Sequence, residues 1–106
     1  MQVSIKTLVN LHNVGIRYAT EAFGEVLGEN YDNAEYALTQ DDAEKVAAIL
    51  DAKHQALPLP GDKDFFGNVI TADEAMEWAR MSNDGGKAAM NIFRACGLDT
   101  PRNWRD

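Results

Sequence analysis

His12 and His54 are the two imidazoles of this 106-residue chain, and Cys96 is its one thiol. Such groups carry acid–base and nucleophilic chemistry when a partner stands within hydrogen-bond reach. As a pair the histidines share no acid at a diagnostic spacing. Each falls at a predicted helix end, where an imidazolium suits the C-terminal dipole. Structural or surface roles are expected of both. Cys96 sits on the apolar side of a predicted helix with no histidine beside it, and reads as a small buried hydrophobe. Asp41 and Asp42 are adjacent, so on a helix they diverge and are expected to cap it. Asn83-Asp84-Gly85-Gly86 is too short for a calcium loop and lacks its closing glutamate. Gly85-Gly86-Lys87 lacks the Ser or Thr of a phosphate loop. A helix opening there could still hold an anion on its backbone N–H groups, but a plain turn between helices is the expectation. No catalytic, cofactor-binding or metal-ligating residue is assigned, and no enzyme is expected.

Apolar residues make up 45% of the chain and charged residues 25%, the balance of a soluble globular protein. The length fits one domain with its own core. A lone cysteine gives neither a disulfide framework nor a zinc set and points to a reducing compartment. No run reaches the ~18 apolar residues of a membrane span, and Met1-Gln2-Val3-Ser4 opens no signal peptide, so a cytoplasmic protein is expected. The net charge of −7 is unevenly placed. Residues 1–20 carry Lys6 and Arg17 and no acid. Residues 21–51 carry Glu21, Glu25, Glu29, Asp32, Glu35, Asp41, Asp42, Glu44 and Asp51 against Lys45 alone. A basic stripe is the footprint of a nucleic-acid binder, and this acidic middle argues against one.

Hydropathy and capping signals predict a mainly α-helical chain of about five short helices, with one or two very short strands at most. Ser4 caps a first helix over Ile5–His12, and Asn13-Val14-Gly15 turns into a second over Gly15–Leu27. Ala19, Ala22, Phe23, Val26 and Leu27 give that second helix a core-facing stripe. Ala34–Leu38 alternates weakly and is read as a short edge strand. Thr39 and Asp42 form a capping box for a third helix, with Ala43, Val46, Ala47 and Leu50 inward and a fade near His54–Leu57. Leu57-Pro58-Leu59-Pro60-Gly61-Asp62 is a connector that excludes helix. It divides residues 1–56 from a helical hairpin and tail at 63–106, the two sharing one core. Phe65–Ile70 is read as a short strand or as a loop whose aromatics plug the core. Thr71 and Glu74 box a fourth helix over Ala72–Met81, Ser82–Gly86 is a turn, and a fifth helix over Lys87–Cys96 ends at Gly97. Core packing is the expectation for Phe65, Phe66, Trp78 and Trp104, with an exposed anchor for a protein partner as the alternative.

The stretch Ser4-Ile5-Lys6-Thr7-Leu8-Val9-Asn10-Leu11-His12-Asn13-Val14-Gly15-Ile16, followed by an amphipathic helix and the helix capped at Thr39, resembles small helix-turn-helix-like modules of bacterial and phage regulators. It is also similar to the N-terminal helical module of bacterial translation initiation factors. The resemblance covers residues 4–50 and implies a trihelical fold with the second helix facing a macromolecule. The outward positions of that helix offer Arg17 and Thr20 to DNA, while Glu21 and Glu25 would repel phosphate.

A non-enzymatic interaction protein follows from these readings. The first expectation is a small acidic adaptor or inhibitor binding a protein partner through Glu21, Glu25, Glu29, Asp32 and Glu35 by charge complementarity. In size and charge it is similar to phage-encoded inhibitors of host factors. The alternative is a DNA-binding regulator using Arg17 and Thr20 as a homodimer. No cofactor and no membrane contact is expected.

Overall fold

Three side chains start three helices of this protein. Ser4 Oγ accepts the Thr7 N–H at 3.2 Å and opens α1, Ile5–Asn10. Thr39 Oγ1 accepts the Asp42 N–H at 3.0 Å while the Asp42 carboxylate returns to the Thr39 N–H, a reciprocal box that opens α3, Gln40–Gln55. Thr71 and Glu74 repeat that box at the start of α4, Ala72–Ala95. Each box satisfies backbone donors that a helix start leaves open. Between α1 and α3 lies α2, Ile16–Leu27, running directly into a 3-10 turn over Gly28–Asp32. The computed structural model describes residues 3–12 and 16–101, and the side chain of Ile16 is not among the parts described. The predicted turn Asn13-Val14-Gly15 and the tail with Trp104 lie outside the described residues.

The core draws on all four helices. Ile5 and Val9 of α1, Ala19, Ala22, Phe23 and Leu27 of α2, Ala43, Val46, Ala47 and Leu50 of α3, and Ala89, Ile92 and Phe93 of α4 form one buried cluster. Phe23 and Phe93 meet edge to face at its centre, ring centroids 5.8 Å apart, the arrangement their quadrupoles favour. The stripes predicted for α2 and α3 are thus the buried ones, with Val26 at the edge. Helix α3 ends where the pattern fades, and α1 closes at Asn10, two residues before the predicted His12.

Two predicted features, a turn and an edge strand, are absent among the described residues. Ser82–Gly86 is no turn: α4 runs through it as one helix of 24 residues, so the expected fourth and fifth helices and their hairpin are a single element. Ser82, Gly85, Gly86, Ala89 and Phe93 are all buried and continue the i, i+3, i+4, i+7 spacing. The small side chains of Ser82, Gly85, Gly86 and Ala89 hide the periodicity from a hydropathy reading. A glycine in a helix interior costs about 1 kcal/mol relative to alanine, and burial along the rest of the stripe outweighs it here. Helix α4 ends as predicted at Gly97 (φ 73°), where the Leu98 N–H donates to Phe93 O and the Gly97 N–H to Arg94 O, the Schellman pattern. Ala34–Leu38 pairs with nothing among the described residues. Instead, Asn33 holds it in a turn by accepting the Glu35 and Tyr36 N–H groups, and the Tyr36 hydroxyl donates to Asp42 at 2.5 Å.

The buried residues of α4 all fall from Ser82 onward. Its first half carries a separate structure, the segment 57–70. At about 1.5 Å per residue α4 is about 36 Å long, and the molecule extends 47 Å along its greatest axis. The radius of gyration, 14.7 Å, accordingly exceeds the ~13 Å of a compact chain this size.

Candidate functional site

The acidic residues singled out from the sequence separate into two groups. Glu21 is engaged: its carboxylate meets Lys53 Nζ at 3.0 Å across the α2–α3 interface and Arg17 Nε at 3.4 Å along α2. The Lys53 hydrogen bond, reinforced by Arg17 and opposed by partial burial, holds this carboxyl below the usual glutamate value. Glu25, Glu29, Asp32 and Glu35 are exposed along the end of α2, the 3-10 turn and the bend after it. Among the described residues none of these four forms an ion pair.

Arg17 and Thr20, the residues offered to DNA, are occupied within the fold. The Arg17 guanidinium lies 5.5 Å from the centre of the Trp78 ring and bonds to Glu21. Thr20 Oγ1 accepts the Tyr31 hydroxyl at 3.5 Å. Trp78 itself is half-buried against the core, as expected of it.

The remaining chemical candidates are held in structural contacts. His54 Nδ1 and Ser82 Oγ share a hydrogen bond of 2.8 Å between α3 and α4. A serine–histidine contact is a nucleophile's geometry, but Ser82 is 2% exposed and closed to a substrate. The contact fastens α3 to α4. Burial pushes the Cys96 thiol above its ordinary value, away from the thiolate a nucleophile needs. Cys96 lies in the wall of a cavity of about 330 Å³ with Ile5, Leu8 and Leu38. Gly85-Gly86-Lys87 is helix interior, where backbone N–H groups are already spent on the preceding turn, so the anion site a helix start would offer does not exist. Among the described residues no three His, Cys, Asp or Glu side chains converge as metal ligands. No described helix is long and apolar enough to cross a membrane.

The most unusual surface comes from the stretch expected to fill the core. Phe65 and Phe66 are 97% and 84% exposed, not buried. They form the tip of a small hairpin with a single antiparallel bridge, Lys63 to Val69, in place of a predicted strand. Asp64 builds the tip. Its backbone O accepts the Gly67 N–H at 3.0 Å, and its Oδ1 accepts the Phe66 and Asn68 N–H groups at 2.9 and 2.8 Å. Gly67 takes φ 85°, the left-handed conformation glycine adopts without strain. At the base the Ile70 N–H donates to Asp62 O at 2.7 Å and the Gly61 N–H to Ile70 O at 2.9 Å, and the Ile70 side chain is buried. The Asp62 carboxylate fixes the preceding turn by accepting the Leu59 N–H at 2.8 Å. Backbone and Asp64 side-chain bonding therefore sets the turn that carries two exposed aromatic rings, edge to face at 5.4 Å. At that exposure the rings present roughly 300 Å² of apolar surface.

Beside the hairpin base lies an apolar groove of about 370 Å³ between Leu57–Pro60 and the first turns of α4, with Leu59, Met76 and Ala79 in its wall. Leu59, Val69 and Met76 are also exposed, so five of the seven large exposed hydrophobics among the described residues belong to this one end. The sequence did carry a signal for it. Asp64 and Gly67 stand at the first and fourth positions of a turn, the places those residues favour, which leaves Phe65 and Phe66 at the outer corners.

Comparison with protein-family models, with curated proteins and with solved structures gives no match for this chain.

Proposed function

We infer that the protein is a non-enzymatic macromolecular interaction protein, a small acidic adaptor or inhibitor that docks on a protein partner. The observation that carries this reading is the run Glu25, Glu29, Asp32 and Glu35, exposed and without an internal cation among the described residues. Carboxylates left unneutralised on one stretch steer and select a basic partner. Glu21 serves this surface indirectly, by tying α2 to α3 through Lys53. The helix-turn-helix-like reading of residues 4–50 belongs to the same proposal, with α1, α2 and α3 as its three helices and the acidic run on the far end of the second.

Partner capture from a cytosolic lysate, with the Glu25→Lys/Glu29→Lys/Asp32→Lys variant beside the wild type, tests it. The reversal abolishes capture of the specific partner. Unchanged capture refutes the acidic surface. The DNA-binding alternative draws less support, because Arg17 is committed to Trp78 and Glu21. Salt-sensitive binding to a duplex, weakened by Arg17→Ala, would restore it.

A further inference from the structure

We propose that the Phe65–Phe66 hairpin and the Leu59–Met76 groove beside it form a second docking surface, whose occupant is a basic segment of a protein with one apolar face. This rests on the reading of the chain as a protein-binding module but does not depend on the acidic run of α2.

Three features mark the end of the molecule as a docking surface. The backbone of the tip is fixed by its own and Asp64 hydrogen bonds, so binding has only the two ring rotamers left to order there, which lowers the cost of association. Exposed phenylalanines contribute nothing to the core, and exposed large apolar residues gathered in one part of a chain mark an interaction site. The groove accepts apolar side chains from whatever the rings grip.

Charge selects the occupant. Asp62, Asp64, Asp73, Glu74 and Glu77 are interleaved along the chain with Leu59, Phe65, Phe66, Val69 and Met76, against Lys63 and Arg80. Arg80 is already bonded to Glu77 and lies 3.8 Å from Asp84, so that pair cancels and Asp62, Asp64, Asp73 and Glu74 remain against Lys63. A second copy of the chain would bring this acidic rim against itself, at a net charge of −7 on each side. An anionic membrane surface meets the same repulsion. A segment with lysine or arginine flanking apolar anchors meets complementary charge at the rim and apolar wall within it.

The test is calorimetric titration of the full chain with a helical peptide of leucine and lysine, one face apolar and one cationic. Phe65→Ser/Phe66→Ser is the principal variant, and Met76→Gln probes the groove. All three side chains are exposed, so the thermal midpoint should stay at the wild-type value in each. The peptide binds the wild type, the double variant weakens it at least tenfold, and Met76→Gln weakens it in the same direction. Equal affinity for the double variant overturns the surface, as does equal affinity for a leucine–glutamate counterpart. Phenylalanine-dependent binding to phosphatidylglycerol vesicles overturns the protein occupant. A wild-type dimer that the double variant makes monomeric shows a second copy there and overturns it too. Binding that survives the phenylalanine changes but is lost in Glu25→Lys/Glu29→Lys removes this surface and leaves the acidic run standing. The reverse pattern supports the hairpin and leaves the acidic run to be decided by partner capture.

Discussion

Gly24 and Gly97 invite the same substitution with opposite results. Gly24 lies inside α2, and a Cβ built on it meets nothing within 4 Å. Alanine there keeps the helical backbone and touches no neighbour. What changes is the unfolded chain, which loses freedom it would regain on unfolding, and the helix, which loses a poor former. Gly24→Ala should therefore stabilise the fold by about 0.5–1 kcal/mol. For a domain of this size the thermal midpoint rises by roughly 2–5 °C. Gly97 has the same open space but φ 73°, where a Cβ strains against the carbonyl by about 1–2 kcal/mol. The unfolded-state gain offsets only part of this, so Gly97→Ala should lower stability by about 1 kcal/mol. It also loosens the Leu98 N–H to Phe93 O bond that closes α4. Thermal melts followed by far-ultraviolet circular dichroism, with urea titrations for the free energies, measure both. If the two variants shift the midpoint in the same direction, the assignment of these glycines to helix interior and left-handed cap is wrong.

Three further outcomes can be measured in the same way. Phe93→Ala empties half of the central Phe23–Phe93 contact and should cost about 3–5 kcal/mol, enough to bring a domain of ordinary stability near unfolding; a small drop in the urea midpoint would place the core elsewhere. Thr71→Ala removes the side chain that accepts the Glu74 N–H and should cost about 1 kcal/mol, with faster amide exchange in the first turn of α4 as its local signature. Glu21 has its pKa lowered by Lys53, so the unfolded chain takes up that proton at higher pH than the folded chain does. The stabilisation is complete above the ordinary glutamate value and fades as pH falls through the lowered one. Glu21→Gln should flatten the acid limb of stability against pH, and an unchanged limb would show that the Glu21–Lys53 pair contributes nothing.

The sequence legible by itself was the part governed by neighbours three or four residues apart. Ser4, the Thr39–Asp42 and Thr71–Glu74 boxes and Gly97 mark helix ends through bonds contained within a single turn, so residue type and spacing suffice to find them. The stripes of α2 and α3 were equally readable, because Phe23, Val46 and Leu50 announce burial by their own hydrophobicity. Of the candidate site, the exposed acids from Glu25 to Glu35 were legible for the same local reason. The engagement of Glu21 was not, since Lys53 is brought to it from another helix.

Only the tertiary structure decided the two features that shape the molecule. Ser82-Asn83-Asp84-Gly85-Gly86 has the composition of a turn and becomes helix. Neighbouring helices cover its small side chains, and Ser82 finds His54 across the interface, at an energy local propensity does not contain. Phe65-Phe66 has the composition of a core segment and becomes a surface. The Asp64–Gly67 turn turns both rings outward, while Ile70 fills the one buried place beneath them. In both stretches the local signal was real. Competition for burial among distant parts of the chain decided whether it prevailed.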